Sequence, residues 1–458
     1  MPPNIILINC DDLGYGDLGC YGSTRNDTPH LDRLAEEGCR FTDFYMASPV
    51  CSPSRGGMMT GCYPPRVGFG DFDGAPVLFP GHGVGLNPDE MTLPRVLKNA
   101  GYATAHVGKW HCGDQPDFLP TRHGFDHYFG LPYSNDMGRQ AGQGPNTPPM
   151  PLLRDEKVHQ QQPDQRGLTE RYTDECLRFI EQHQSGPFFL YLAHMYVHVP
   201  LLVPEPFLHA SRNGGYGGAV ACIDWSTGAL MHKLRELGLE NDTLVIFTSD
   251  NGSRNGDEGG SNAPCRGTKA TTWEGGQRVP CIMRRPDHIP AGTTCDAVTR
   301  SIDLLPTLTA IAGGSNPQAD THPIDGEDLS ALLSDPHASA PNDTFAYYWM
   351  NQLEAVRVGD WKLHFRKRQE TCDELYHLRE DPGEQHNRFA DEPGVVAQLW
   401  AFADRVREEL GDAALEIEGN ARRPIGRVDN PRPLTEYDEN HPYIVASYDR
   451  ADMPTMVG

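Results

Sequence analysis

Short apolar runs alternate with amphipathic segments along roughly the first two thirds of the chain. The run NIILIN (4–9) is almost continuously apolar, which is typical of a strand buried on both faces of a sheet. Similar runs begin at Phe188 and Thr243, each preceded by an amphipathic segment that predicts a helix, at 168–183 and 218–237. Because strands alternate with helices, we predict the α/β class, with a large mixed, mostly parallel sheet sandwiched by helices.

Two further helices carry local start and stop signals. TPHLDRLAEEG places Thr28 as N-cap, Pro29 at the first helical position and Gly38 as a stop. MTLPRVLKNAG repeats this arrangement with Thr92 as N-cap and Gly101 as the stop. These signals predict a helix after each threonine, with the threonine hydroxyl capping it.

The pattern changes after residue 340. Three short runs, TFAYYWM, EAVRVGDWKLHF and DELYHL, are joined by tight turns and followed by a helix near 393–410, which predicts a small antiparallel sheet with one helix. We therefore divide the chain into an α/β domain over 1–340 and a C-terminal subdomain over 341–458. The end of the chain, rich in Pro, Arg and Asp, predicts an extended tail that packs on the body or on a neighbouring subunit. The sequence therefore leaves open whether the protein forms a homo-oligomer.

The charge balance narrows the classes of partner. The chain has 63 acidic and 39 basic residues, a formal net charge of −24. This excess argues against general binding to nucleic acid or to an anionic membrane. An anionic substrate would therefore need cations gathered locally, against the overall field.

Targeting signals and cysteine usage bear on the compartment. No apolar run approaches the ~18 residues of a membrane span, and no charged-then-apolar leader precedes Asn4. We therefore expect a cytoplasmic protein with no membrane partner, or a periplasmic or secreted one if a leader has been removed. The 12 cysteines are scattered without a close CxxC pair, and those in apolar runs, such as Cys10 and Cys281, resemble small buried hydrophobic residues in a reduced chain.

Acidic side chains follow two of the buried strands. Asp11 and Asp12 come directly after the first strand, and Asp250 and Asn251 follow the strand that begins at Thr243. Because ligands gather at the carboxyl ends of parallel strands, we expect these four side chains to converge. Oxygen donors without a soft ligand suit a hard divalent cation, Ca²⁺ or Mg²⁺, rather than Zn²⁺. The alternative is that both segments are ordinary turn sequences.

Basic side chains follow other strands or stand in glycine-rich loops. Lys109 and His111 are two residues apart, which places them on one face if the chain is extended. The other candidates are His194, His198, Lys269 and Arg55. Together they would form a pocket for a tetrahedral anion. The alternative for each Lys or Arg is a solvated surface group, and for His194 a core histidine.

Six motifs in the right order resemble the type I sulfatase family, over about residues 4 to 390. CSPSR followed by GGMMTG is similar to the first sulfatase signature, and GYATAHVGKWH to the second. NIILINCDDLGYGDLGCYG and TSDNG resemble the metal segments, GTKATTWEGGQRVP the substrate-lysine segment, and ELYHLREDPGEQHN a piece of the C-terminal subdomain. The resemblance implies the fold of the alkaline phosphatase superfamily and a catalytic role for residues 1–340.

The resemblance also assigns the chemistry of Cys51. In this family the cysteine is oxidised to Cα-formylglycine by a formylglycine-generating enzyme, which would recognise Ser52, Pro53 and Arg55 as context. One hydroxyl of the hydrated aldehyde attacks sulfur, and the other loses its proton to expel sulfate. The implied nucleophile is therefore a modified residue 51, and a thiol would not complete the cycle.

The remaining site residues are carried over one by one. Calcium, with magnesium less favoured, would be bound by residue 51 together with Asp11, Asp12, Asp250 and Asn251. Arg55 would hold residue 51 and the metal ligands in place, and Lys109 and Lys269 would bind sulfate oxygens. His111 would accept the diol proton, and His198, with Lys269, would contact sulfate and protonate the leaving oxygen. GLPYSND resembles the arylsulfatase A and N-acetylgalactosamine-6-sulfatase branch and implies that Ser134 contacts sulfate.

The sequence thus predicts a sulfuric ester hydrolase. Its substrate would be a sulfated saccharide, such as a 6-O-sulfated galactose or N-acetylgalactosamine, or else an aryl sulfate. Tyr133, Trp273 and Trp349 are candidates for stacking on a sugar, with core packing as the alternative. Two other functions stay open: a formylglycine-dependent phosphonate monoester or phosphodiester hydrolase, and a non-catalytic glycan-binding protein.

Overall fold

A computed structural model describes residues 2–140, 143, 146–254 and 256–444; the predicted tail beyond 444 lies outside them. The strands are β1 Asn4–Cys10, β2 Cys39–Tyr45, β3 Val84–Gly85, β4 Ala103–Gly108, β5 His127–Gly130, β6 Pro151–Arg154, β7 Lys157–Gln161, β8 Phe188–Ala193, β9 Thr243–Ser249, β10 Arg278–Arg284, β11 Thr293–Cys295, β12 Thr299–Arg300, β13 Thr344–Trp349, β14 Gln352–Val358, β15 Trp361–Lys367, β16 Glu370–His377 and β17 Gly426–Arg427. The α-helices are α1 Pro29–Glu36, α2 Cys51–Thr60, α3 Leu93–Asn99, α4 Leu168–His183, α5 Glu205–Ala210, α6 Gly214–Glu236, α7 Glu274–Gln277, α8 Leu304–Ile311, α9 Ser330–Ser334 and α10 Pro393–Leu410.

The described chain builds one large mixed sheet in the order β11-β2-β10-β9-β1-β8-β4-β5-β6-β7, with β12 paired to β2. Its centre is parallel: β1 pairs with both β8 and β9, and β4 pairs with β8 and β5. Strand β10 runs antiparallel to its neighbours, and β6 and β7 form an antiparallel hairpin at one edge. The predicted α/β class with a mostly parallel sheet is confirmed.

The central strand β1 shows why helices cover both faces of this sheet. Ile5 and Leu7 point into one apolar cluster with α2, α3 and α8, whereas Ile6 and Ile8 point into a second cluster with α1, α4 and α6. All four side chains are fully buried, and each contributes about 1.5–3 kcal/mol of apolar burial. A continuously apolar strand therefore lies between two layers of helix, as its sequence predicts.

The helices predicted from the sequence form, but the two threonine caps do not. The segment predicted at 168–183 is α4, and that at 218–237 begins four residues earlier, as α6. Thr28 and Thr92 occupy the N-cap positions of α1 and α3, yet neither makes a side-chain capping bond. The Thr28 hydroxyl bonds Asp32 instead, and the Thr92 hydroxyl donates to the His123 carbonyl at 2.5 Å. A tertiary partner replaces the predicted capping bond of Thr92, whereas Thr28 bonds a carboxylate of its own helix.

The C-terminal strands β13 to β16 form the predicted small antiparallel sheet, which has four strands, and α10 packs against it. Its apolar cluster also includes Tyr45 and Tyr63, so the two parts of the chain share a core. A buried ammonium group joins them as well: Lys362 Nζ lies 2.9 Å from Glu274 Oε1 and 3.0 Å from Glu384 Oε1. The boundary between residues 340 and 341 stays a prediction.

The described part of the tail packs on the body. Strand β17 pairs with β3, and the Thr435 hydroxyl donates to the Pro149 carbonyl at 2.5 Å. All 12 cysteines are free. Across the described ranges, every helix is too short or too polar to cross a membrane.

Candidate active site

The carboxyl ends of β1 and β9 carry the predicted acidic cluster. The two strands are parallel neighbours in register to their last residues, so Asp11 and Asp250 leave the sheet side by side. The Asp12 amide donates to Asp250 Oδ1 at 3.3 Å, and Asn251 Nδ2 donates to Asp12 Oδ1 at 2.7 Å. All four side chains are buried. The structure therefore brings Asp11, Asp12, Asp250 and Asn251 together.

Cys51 meets this cluster as the first residue of α2. Its Sγ and one carboxylate oxygen each of Asp11 and Asp250 all lie within 4.8 Å of one another. One turn later, Arg55 Nε donates to Asp250 Oδ2 at 2.8 Å, and Arg55 Nη1 donates to the Lys109 carbonyl at 2.9 Å. Burial raises the pKa of the Cys51 thiol above its ordinary value, against the opposing effect of nearby lysines. The unmodified residue is thus a protonated thiol inside an ionic cluster.

Two buried lysines form ion pairs with the aspartates. Lys109 Nζ lies 2.5 Å from Asp11 Oδ2 and 3.2 Å from Ser134 Oγ. Lys269 Nζ lies 2.8 Å from Asp12 Oδ1. Burial alone would raise the pKa of Asp11, but the nearby cations, led by Lys109, hold that pKa below its ordinary value. The cluster therefore keeps its carboxylates ionised, and both ammonium groups point into one buried site.

His111 is held with a free lone pair. Its Nε2 lies 2.9 Å from the Leu78 carbonyl, which can only accept, so Nε2 carries the proton. Nδ1 is then an acceptor, and it is buried without a hydrogen-bond partner among the described residues. Burial, with the charge of Lys109 next, lowers the pKa of His111 well below its usual value. His111 is therefore a neutral imidazole suited to taking a proton.

The backbone around His111 differs from the extended chain that the sequence suggested. Strand β4 ends at Gly108, and His111 itself has φ +60°. The partner of its ring, Leu78, is a residue that the sequence did not single out, and the Leu78 amide donates to Ser52 Oγ at 3.1 Å. Residues 77 and 78 lie in a loop of glycine, alanine and proline that carries no chemical signal, so only the folded chain identifies them.

His198 is neutral with the opposite tautomer. Its Nδ1 lies 2.6 Å from the Val199 carbonyl and therefore carries the proton, so Nε2 is an acceptor. Nε2 is 3.8 Å from Asp12 Oδ2. Burial and the charge of Lys269 lower the pKa of His198. His194, by contrast, is fully buried, has no hydrogen-bonded ring atom in the described chain, and has a pKa lowered to about 3 by burial, as a core histidine would.

The donor set fits a hard divalent cation. Asp11 Oδ1 and Asn251 Oδ1 are buried and accept no hydrogen bond from any described residue. Burial, with the charge of Asp11 next, raises the pKa of Asp250 to about 6, which is the sign of carboxylates crowded together. Unpartnered buried oxygens are costly, and a cation between them would satisfy both. The composition of the site thus fits the predicted metal centre, without identifying the ion.

The three aromatic candidates do not offer open faces to a sugar. Tyr133 is 2% exposed and belongs to the core. Trp273 has Lys367 and Arg266 over its ring, 3.7 and 3.8 Å from the ring centre. Trp349 packs against the cluster of Val50, Cys51 and Val77 and carries a guanidinium group over its ring. Core packing explains Tyr133, and cation–π contacts cover the two tryptophans.

Two sulfatase-related family models and several known sulfatases match this chain. The sulfatase family matches residues 3–314, and the C-terminal part of N-sulphoglucosamine sulphohydrolase matches residues 268–409. Human arylsulfatase A is 38% identical over 441 residues, which cover 87% of this chain and 85% of the human protein. The N-acetylgalactosamine-6-sulfatase of Sus scrofa is 41% identical over 382 residues, covering 80% of this chain and 72% of that protein.

Solved structures share the fold. The PsFucS1 sulfatase from Pseudoalteromonas sp. superposes with a TM-score of 0.81 at 28% identity, covering 93% of this chain and 92% of that chain. Ps i-CgsB in complex with k-i-k-neocarrahexaose superposes with a TM-score of 0.77 at 29% identity, covering 88% and 92% of the two chains. The phosphonate monoester hydrolase of Agrobacterium radiobacter shares the fold alone, with a TM-score of 0.62 at 20% identity.

Proposed function

Since the chain belongs to the sulfatase family and is a sulfuric ester hydrolase, we propose that it removes sulfate from a carbohydrate, foremost a 6-O-sulfated galactose or N-acetylgalactosamine. The observation that carries this proposal is the buried pocket in which Lys109, Lys269 and Ser134 face the carboxylate cluster beside Cys51. The relationship to an N-acetylgalactosamine-6-sulfatase and the neocarrahexaose complex of a structural neighbour support a saccharide substrate.

We further propose that Cys51 is converted to Cα-formylglycine by a formylglycine-generating enzyme. When present, this group would supply a hydrated aldehyde with two hydroxyls on one carbon, one to attack sulfur and one whose proton loss expels sulfate; a thiol, held protonated here by burial, has no second hydroxyl for that step. A divalent cation, proposed as Ca²⁺, would be held by residue 51 and by Asp11, Asp12, Asp250 and Asn251, and would supply positive charge beside the nucleophile and the sulfate.

The other side chains bind, orient and move protons. Lys109 and Lys269 hold sulfate oxygens, and the Ser134 hydroxyl, 3.2 Å from Lys109 Nζ, orients the same group. Arg55 keeps Asp250 in place through its Nε, 2.8 Å from Oδ2. His111 takes a proton at Nδ1, since the Leu78 carbonyl holds its other ring proton.

His198 serves the leaving oxygen. In the structure its Nε2 carries no proton, so donation at this atom requires the imidazolium form. An anion bound beside Lys269 favours that form, because a nearby negative charge raises the pKa of an imidazole. We therefore propose that substrate binding charges His198, which then protonates the departing alcohol together with Lys269.

The pH dependence of kcat tests the role of His111, because the proton that it takes leaves residue 51 after the alcohol has departed. A base must be unprotonated, and burial lowers the pKa of His111 well below 6.5, so it stays active as the pH falls through neutrality. We expect the acid limb of kcat that depends on His111 to lie below pH 6.5. His111→Gln removes that limb together with most of the rate; an acid limb centred at 6.5 or above that depends on His111 would contradict the assignment.

Two measurements together test the proposed function. Protein coexpressed with a formylglycine-generating enzyme is digested, and the mass of the Cys51 peptide is compared with that of thiol and aldehyde. The same protein is assayed for sulfate release from 6-O-sulfated galactose and N-acetylgalactosamine and from an aryl sulfate, with a phosphonate monoester for comparison.

Each outcome has one meaning. Conversion of Cys51 together with sulfate release from the sugars supports the proposal. Sulfate release from the aryl sulfate alone would make aryl sulfates the substrate class instead. Phosphonate hydrolysis without sulfate release would favour the phosphonate monoester alternative. A thiol that stays unmodified, with the modifying enzyme active on a control peptide, would refute the aldehyde mechanism; glycan binding without turnover would favour a non-catalytic protein.

A further inference from the structure

Three cations surround two tryptophans beside the sulfate pocket. Arg368 lies over the ring of Trp349 at 3.4 Å from its centre. Arg266 and Lys367 lie over the ring of Trp273 at 3.8 and 3.7 Å from its centre. We call Arg266, Lys367 and Arg368 the cationic rim. Such a group is unexpected on a chain with a net charge of −24.

The rim is joined to the pocket by direct contacts. Trp349 and Ala270 both pack against the cluster of Val50, Cys51 and Val77. Arg368 Nη2 donates to the carbonyl of Ala270, the residue after Lys269. The Trp349 indole therefore lies between the Arg368 guanidinium and the apolar cluster that contains Cys51.

The two arginines of the rim are held in place but keep donors for a ligand, whereas Lys367 is already paired with Glu374. Arg266 is exposed, and the one bond that the described chain shows for it is from Nη1 to the Glu384 carbonyl, 2.9 Å away. The Arg368 side chain is 38% exposed, and its Nη1 lies 3.1 Å from Glu354 Oε1. A guanidinium has five N–H donors, so each arginine has more donors than these contacts use. Stacking on tryptophan fixes the guanidinium planes, which suits them to flat or tetrahedral anions.

We propose that the cationic rim is a second anion subsite, which binds a carboxylate or sulfate on the sugar next to the one that is desulfated. This inference rests on the proposed function and narrows it to a polyanionic oligosaccharide. The pocket at Lys109 and Lys269 takes the scissile sulfate, and the rim takes the neighbouring charge. The tryptophans act as spacers between the two anion sites, since cations already cover their rings.

The test uses disaccharides that share the same sulfated sugar and differ in its neighbour, which is neutral, a uronic acid, or a second sulfated sugar. Binding is measured by calorimetry on the Cys51→Ala protein, so it does not depend on turnover. We expect each anionic disaccharide to bind about tenfold more tightly than the neutral one at low salt, with the preference fading as salt is raised. The two anionic arms distinguish a carboxylate from a sulfate.

Variants then show which residues cause the preference for anionic over neutral disaccharides. Added to the Cys51→Ala protein, Arg266→Gln and Arg368→Gln should each shrink it severalfold, and Arg368→Lys should restore part of it. Arg405→Ala, which removes an exposed arginine 5.6 Å from the Phe402 ring centre in the same subdomain, should leave it intact. Arg266 has no carboxylate partner among the described residues, so its variant remains informative if loss of the Arg368–Glu354 pair impairs folding.

Equal affinity for the neutral and anionic disaccharides, or a preference that survives both substitutions, would overturn the subsite. Failure of the proposed function is seen separately. In that case the unsubstituted, converted protein releases no sulfate from any sugar, whatever the binding series shows.

Discussion

Cys51→Ala will slow sulfate release by about four orders of magnitude or more, which is the scale of loss when an enzyme's nucleophile is removed. The side chain stands at the start of α2, with Sγ within 4.8 Å of carboxylate oxygens of Asp11 and Asp250. In the proposed mechanism, the lysines, histidines and carboxylates around residue 51 already serve in binding or proton transfer. None of them is therefore left to replace the nucleophile. Sulfate release, measured by ion chromatography under single-turnover conditions, gives the rate.

Binding separates the enzyme from a non-catalytic protein. The alanine variant keeps Lys109, Lys269 and Ser134, so we expect its affinity for a sulfated sugar to stay within severalfold of the parent. Cys62→Ala is a matched control, because it removes another fully buried cysteine just after the same helix. A Cys51→Ala protein that still turns over, or a Cys62→Ala protein that fails equally, would show that residue 51 is not the nucleophile.

Arg55→Met will lower the free energy of unfolding by about 3–5 kcal/mol, the usual cost of leaving buried charges without their partner. The guanidinium is 1% exposed; its Nη2 lies 2.7 Å from Asp250 Oδ2 and 3.5 Å from Asp11 Oδ2. Methionine fills much of the space but leaves both carboxylates with less positive charge. Urea unfolding of metal-free protein measures the loss.

A surface ion pair provides the comparison. Arg122 lies 3.1 Å from Glu156, with side chains 49% and 42% exposed, so Arg122→Met should cost at most about 1 kcal/mol. Adding Ca²⁺ should return more stability to Arg55→Met than to the parent, because the ion would replace the missing positive charge. A loss for Arg55→Met no larger than that for Arg122→Met would show that the arginine is not needed to hold the carboxylates.

The sheet and the acidic cluster could be predicted because each depends on a short stretch of sequence. A continuously apolar run predicts a doubly buried strand, and parallel neighbours place Asp11 and Asp250 at one edge. The cations were found from their positions after strands or in loops, and the motifs of the family resemblance assigned their roles.

The rest depends on contacts between distant parts of the chain. The tautomer of His111 is determined by the backbone carbonyl of Leu78, which lies in a loop with no chemical signal. The capping bond of Thr92 fails for the same reason, since its hydroxyl bonds the carbonyl of His123, 31 residues away. The cationic rim joins a loop near residue 266 to the turn after β15, over a hundred positions apart.

The complete burial of α2 determines when residue 51 can be modified. All ten residues from Cys51 to Thr60 are buried, so a modifying enzyme cannot reach the motif once the chain has folded. Under the proposed modification, oxidation and folding would therefore compete for the nascent polypeptide, and the converted fraction would depend on their relative rates. Conditions that delay folding should raise the yield of converted protein, whereas adding the modifying enzyme to purified native protein should have no effect.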